Sequence, residues 1–224
     1  MNYSDNKKIL KEFYDKNRVS SGFDKDSVYL ENAFNDIYRI WLDNFNRINT
    51  VNYLMIAEAP LWGKAKKYIY NPETKNSQFF HLKDLGDILN KSIGNKKEFI
   101  KACNEIGLLV VDISPFALNS TDTVINYGCL TTAKYRDLVR LTIPTFFEKT
   151  IKAVAEKKSA NIETFFRYAR VKSNFEDIVS KVLIDSGIIK TKNDIGYISQ
   201  QGGGIDKEKL KQIINRTKPE PPTQ

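Results

Sequence analysis

The stretch that most constrains this chain runs from Val51 to Pro60, VNYLMIAEAP. Tyr53, Leu54, Met55 and Ile56 form an unbroken apolar run, and a turn of small residues carrying one acid follows at once, Ala57-Glu58-Ala59-Pro60. A half-exposed strand alternates apolar and polar residues. An unbroken run is covered on both faces, as strands of parallel sheets are. Ligands of α/β proteins sit outside the carboxyl ends of such strands. The run therefore predicts a central strand and a site at its end.

A second run of the same kind is Gly107-Leu-Leu-Val-Val-Asp-Ile-Ser-Pro115, ending in a polar turn from Asp112 to Asn119. A third strand is expected within Asn161 to Val171, as ETFFRYARV, and a short fourth over Ile195 to Ser199, leading into Gln200-Gln201-Gly202-Gly203-Gly204. Helical spacing fills the intervals. Residues 3–17 form a short helix. Residues 27–48 form a longer one, with Phe34, Ile37, Tyr38, Trp41, Phe45 and Ile48 on one stripe, which makes Trp41 a core residue. Further helices are expected over Phe79 to Leu89, over Lys96 to Ile106 with Gly107 as C-cap, and around Thr131 to Val139. Three more are expected: from Pro144 to Lys157, from the cap Asn174 to Gly187, and from the cap Asp206 to Asn215. Strands alternating with helices predict a mainly parallel four-stranded sheet in a three-layer α/β/α sandwich. One domain over 1–215 and a disordered tail over 216–224 complete the reading.

Composition narrows the function classes. A chain of 224 residues suits one sizeable α/β domain. No apolar run approaches the roughly 20 residues of a membrane span, and the first residues lack the apolar core of a signal peptide. The expected location is cytoplasmic, with no membrane partner. Cys103, Cys129 and the lone His81 make neither a disulfide framework nor metal-ligand spacing, so neither metal nor cofactor is expected. The net charge of +8 suits a polyanion such as DNA; the alternative is that the chain's richness in Lys, Asn and Ile comes from base composition alone. A monomer is the default.

The order of features resembles the uracil-DNA glycosylase superfamily, over about residues 27–215. LMIAEAP resembles the Gly-Glu-Ala-Pro turn of its bacterial and archaeal branches, and GLLVVDISPFALN resembles its second strand and recognition turn. The last strand, its glycine-rich loop and final helix resemble the second motif region. The departures are specific. Ala57 stands where the family usually has Gly. The second motif usually opens with His or Asn, and the nearest stretch here is Tyr197-Ile198-Ser199-Gln200. The family's recognition Asn corresponds to Asp112, and an ionised carboxylate only accepts hydrogen bonds.

The resemblance implies hydrolysis of the N-glycosidic bond of a flipped base, without metal. Glu58 would orient water, its alternative being a cap or a loop ion pair. Phe79 or Phe80 would stack on the base against the Ala59-Pro60 turn. Asp112 and Asn119 would read its edge, the alternative for Asp112 being hydrogen bonds to the Ser114 and Ala117 amides. Ser199 and Gln200 would stabilise the leaving base. Lys64, Lys66 and Lys67, interleaved with Tyr68 and Tyr70 in the long loop 61–78, would contact DNA, as would the amides of Gly202, Gly203 and Gly204. Arg167 and Arg170 are unusual in a buried strand and place it beside a cleft or at an edge. Two other functions stay open: a catalytically inactive nucleobase-binding or nucleic-acid-binding module of the same fold, and an enzyme acting on a small nucleoside or unrelated ligand.

Overall fold

The structure is a computed structural model and describes residues 1–74, 82–119, 121–199 and 205–216. It is a mixed α/β protein built on a four-stranded, all-parallel sheet in the order β2-β1-β3-β4. The strands are β1 (Val51–Ala57), β2 (Leu108–Asp112), β3 (Lys158–Phe166) and β4 (Ile195–Tyr197). The helices are α1 (Ser4–Lys16), α2 (Ser20–Arg47), α3 (Leu82–Leu89), α4 (Lys96–Ile106), α5 (Thr132–Thr142), α6 (Glu148–Lys157), α7 (Ala169–Asp185) and α8 (Lys207–Arg216). None of them is long and apolar enough to cross a membrane.

β1 is central because its side chains are apolar on both sides. Leu54, Met55 and Ile56 are each 0% exposed, and successive residues of a strand face opposite ways, so both faces of the sheet are covered. The connections explain the covering. The chain leaves β1 for β2 in one direction through α3 and α4. It then crosses back over β1 to β3 through α5 and α6, and continues to β4 through α7. Crossovers of one hand running in opposite directions place their helices on opposite faces. Accordingly α7 packs with α5 and α6, while α3 packs with α4 and α8. The arrangement is compatible with a three-layer sandwich.

Each sheet edge is sealed. β2 is an edge strand, and its outward Val110 amide and carbonyl would otherwise be open to another chain. The Val110 amide donates to the Tyr70 hydroxyl (2.6 Å) and its carbonyl accepts from Trp41 Nε1 (3.0 Å). Trp41 is thus core, as its place on the α2 stripe predicts, stacked 5.0 Å from Phe45. At the other edge β4 is only three residues long, and Lys172 Nζ caps its Ile195 carbonyl at 2.5 Å. Gly107 ends α4 with φ of 73°, and a Cβ there would lie 2.3 Å from the Thr50 carbonyl, so no other residue fits the turn into β2.

The main core lies around β1 and takes in most of the sheet and its helices. A second apolar cluster joins α1, the first half of α2, the 116–125 loop and α5 through Leu10, Phe13, Phe34, Phe116 and Leu138. Buried Asp26 ties it together, accepting from the Tyr14 hydroxyl and the Val124 amide, both at 2.6 Å.

Three expectations are corrected. The strand expected over 161–171 ends at Phe166, so Arg167 and Arg170 are not strand residues; Arg170 lies in the first turn of α7. That helix begins at Ala169, not at a cap on Asn174. Its start is fixed from a distance, by the Ala169 amide donating to the Ser199 carbonyl (2.8 Å), and Val171 and Phe175 bury one continuous face. The helix expected from Pro144 is the continuation of α5, through a π-helical turn at Ile143–Phe147 into α6. The tail beyond Arg216 lies outside the described residues.

Candidate functional site

In the order β2-β1-β3-β4 the connections leave β1 and β3 in opposite directions. A crevice opens outside the carboxyl ends of two such strands. Glu58 follows β1 directly, and Arg167 to Arg170 follow β3. A cleft of about 410 Å³ lies there, lined by Glu58, Ala59, Leu61, Tyr127, Leu130, Thr132, Tyr135, Arg170 and Asn174. That volume is in the range of small-molecule sites.

Arg170 closes on Glu58 through both guanidinium nitrogens. Nη1 donates to Oε1 at 3.3 Å and Nη2 to Oε2. The sequence offered an ion pair as the alternative for Glu58, and this pair is present in the free protein. Arg170 is 49% exposed and Glu58 21%, so screening keeps the pair to about 1 kcal/mol or less. Tyr127 and Tyr135 meet edge to face at 5.3 Å, and Tyr127 donates to the Phe116 carbonyl at 2.5 Å. The Tyr135 hydroxyl is buried beside Ser114 and Tyr127. Burial raises the pKa of both phenols far above the usual value, and the charge of Glu58 adds to it.

Asp112 ends β2 level with Ala57, yet it faces elsewhere. With Trp41, Pro60, Tyr68 and Ser114 it lines a narrow apolar cavity of about 20 Å³, too small for a base. Asp112 is 7% exposed, and its carboxyl makes none of the hydrogen bonds found. The local bonds offered as its alternative are not made: the Phe116 amide goes to Ser114 Oγ (3.4 Å) instead. Desolvation without compensation pushes its pKa up to about 7. Near neutrality Asp112 is thus part protonated, and the protonated form donates as well as accepts. Tyr68 beside it is driven well above the usual phenol value, by burial first and by Asp112 second.

The remaining predicted residues scatter. Ala59 lines the cleft and Pro60 the cavity, so the turn is a wall between them. Asn119 lines neither; its amide donates to the Tyr29 hydroxyl (2.8 Å), which also accepts from the Gly63 amide (3.1 Å). Ser199 is buried, and its hydroxyl accepts from the fully buried Arg167 guanidinium at 2.5 Å. That guanidinium also lies 4.4 Å over the Tyr168 ring. Burial lowers the Arg167 pKa, while nearby Tyr168 and Asp84 act to raise it. Lys66 pairs with Asp36 at 3.3 Å and covers Trp62; Lys64 is exposed and Lys67 half-buried, and none of the three lines the cleft. The loop that carries them is folded back from 61 to 74, with Trp62, Tyr68, Ile69 and Tyr70 buried in the core. Phe79, Phe80, His81, Gln200, Gly202, Gly203 and Gly204 lie outside the described residues. Among the described residues no cluster of His, Cys, Asp and Glu could hold a metal.

Sequence reasoning missed Thr132, Tyr127, Tyr135 and Asn174, which carry no motif. It singled out Arg170 only as a charge in the wrong kind of element. No family model, no curated protein and no solved structure matches the chain.

Proposed function

We propose that this chain is a glycosylase-like enzyme on the three-layer sandwich of the uracil-DNA glycosylase type, hydrolysing the N-glycosidic bond of a base flipped out of DNA. The observation that carries the reading is the position of Glu58: a carboxylate directly after the central strand, at the switch point of a parallel sheet, facing a cleft of about 410 Å³. A carboxylate there accepts a proton from water as it attacks the sugar carbon, and its charge favours the cationic transition state. Tyr127 and Tyr135 supply aromatic surface, and Asn174 and Thr132 supply polar groups. The residue resemblance of LMIAEAP to the family's first turn supports the same chemistry, and the charge of +8 supports a DNA partner.

The second reading, binding without cleavage, is favoured by one feature. Arg170 occupies both oxygens that water would need. One assay separates the two. Single- and double-stranded oligonucleotides carrying uracil, hypoxanthine, xanthine or alkylated bases are incubated with the protein, and alkali-induced scission reports base loss. Release of any base, lost in Glu58→Gln, is the expected result. No release from any substrate, with salt-dependent binding intact, refutes the enzyme reading and leaves the binding module.

A further inference from the structure

We propose that the cleft is a phosphate site kept closed by an internal anion. In the free protein Arg170 holds Glu58, and a phosphate attached to the bound nucleoside takes the place of Glu58 on the Arg170 fork. Glu58 is thereby released to water. This rests on the reading of the cleft as a nucleobase site and adds the group that opens it.

Two helices begin at this cleft. Thr132 is the first residue of α5 and Arg170 the second of α7, and both line it. The amino end of a helix carries partial positive charge and free amides, and an acid in the first turn usually answers it. Neither first turn contains one. The α7 cap, Tyr168, offers no side-chain hydrogen bond. The Ala169 amide is used by the Ser199 carbonyl, whereas the Arg170 and Val171 amides have no partner among the described residues. The buried Arg167 adds a cation behind the same turn. Of the residues lining the cleft, Glu58 alone answers this positive charge.

Tyr135 lines the cleft as an aromatic wall, 6% exposed, with its hydroxyl buried on the side of Ser114 and Tyr127. The Asn174 side-chain amide lines the same cleft and makes none of the hydrogen bonds found. The Arg170 and Val171 amides and the Asn174 side chain are thus open donors beside one carboxylate, Glu58. A planar Arg fork that fits two carboxylate oxygens fits two phosphate oxygens equally well. Phosphate brings more charge to the helix ends than the carboxylate it displaces.

The test exploits a sign. If Glu58 competes for Arg170, removing its charge tightens phosphate binding, but only while Arg170 is present. The probes are thymidine 5′-monophosphate, thymidine, and a short oligothymidylate. Each is titrated into the full chain and into Glu58→Gln, Arg170→Ala, Arg170→Lys and the Glu58→Gln/Arg170→Ala double variant, with circular dichroism confirming the fold. Glu58→Gln is expected to bind a phosphate-bearing probe about five- to tenfold tighter than the parent, with thymidine unaffected. Arg170→Ala loses the phosphate-dependent part of binding, Arg170→Lys keeps some of it, and the double variant matches Arg170→Ala. Tightening on the monophosphate assigns a free nucleotide; tightening on the oligonucleotide alone assigns a polynucleotide backbone. Unchanged or weaker binding by Glu58→Gln overturns the proposal. So does the same tightening in the Arg170→Ala background, or no binding of either phosphate probe by the parent and Glu58→Gln. Base release is scored separately. The predicted binding pattern without release keeps the phosphate site and removes the enzyme reading. Release without the pattern does the reverse.

Discussion

Replacing Asp112 with Asn tests the electrostatic reading of the buried cavity. The Asp112 carboxyl is buried beside Trp41, Pro60 and Tyr68 with no hydrogen-bond partner among the described residues, and its pKa is raised from the usual 3.8 to about 7. The folded form therefore holds a proton that the unfolded chain gives up between these two values. Stability falls as pH rises wherever the folded state binds more protons. The cost of Asp112 is absent below pH 3.8, grows between there and 7, and is complete above 7. The displacement from 3.8 to about 7 corresponds to about 4 kcal/mol as an upper limit. Asn has nearly the same shape and does not titrate. Urea unfolding midpoints of the parent and Asp112→Asn, followed from pH 4 to pH 8, should coincide at the acid end. The variant should be the more stable by a few kcal/mol at the alkaline end. Parallel curves, offset by a constant, would show that the Asp112 carboxyl has a partner and refute the argument.

Three other substitutions probe the framework. Lys96, buried over the Phe99 ring at 4.8 Å, has its pKa lowered to about 8 by burial, so its cost is present below 8 and disappears as pH rises toward 10.5; Lys96→Met should gain about 1–3 kcal/mol at pH 7, read from urea midpoints. Tyr70→Phe leaves the Val110 amide of the edge strand unpaired and should cost about 1–3 kcal/mol, with faster amide exchange at Val110 as the specific sign. Gly107→Ala places a methyl 2.3 Å from the Thr50 carbonyl at a φ of 73°, and should lower the thermal midpoint more than Gly187→Ala, whose added Cβ meets nothing within 4 Å.

β1 was legible because the middle of a doubly covered strand has nowhere to put a polar residue: the apolar run Tyr53–Ile56 marks its centre, and the strand extends to Val51 and Ala57 on either side. The α2 stripe was legible for the same reason at helical spacing. Its consequence, an indole sealing the far edge of the sheet at Val110, depends on strand order and is not written in any local pattern. The start of α7 was missed because its first amide is answered by Ser199, about thirty residues further along the chain, while Asn174 looks like a cap from its neighbours. The loop 61–74 misled in a different way. Its lysines gave it the composition of an exposed strand-binding loop, but Trp62, Tyr68 and Tyr70 turn inward and leave the lysines outside. The candidate site divides likewise. Glu58 and Asp112 stand at matching ends of neighbouring strands, which sequence could supply. The partner of one, 112 residues away, and the isolation of the other belong to the tertiary structure.

These two acids are separated by a single wall, and the wall is the turn from which the fold was first read. Glu58 and Ala59 line the cleft, and Pro60 lines the narrow cavity. The end of β2 fixes it in place, since the Ile113 amide donates to the Ala57 carbonyl (3.0 Å) and the Ser114 amide to the Glu58 carbonyl (3.1 Å). These bonds carry the β1–β2 ladder beyond the last paired residues, so the backbone of Glu58 is held as rigidly as the sheet. The proposed exchange therefore asks only the Glu58 side chain to move, from Arg170 to water. Tyr127 lies within electrostatic reach of both acids, Glu58 more strongly than Asp112. Charge placed on Asp112 is therefore felt across the wall at Tyr127, which lines the cleft with Glu58. A small apolar turn with one acid thus does two jobs: it ends the central strand without burying a charge, and it presents that charge to a cleft on a backbone fixed by its neighbour.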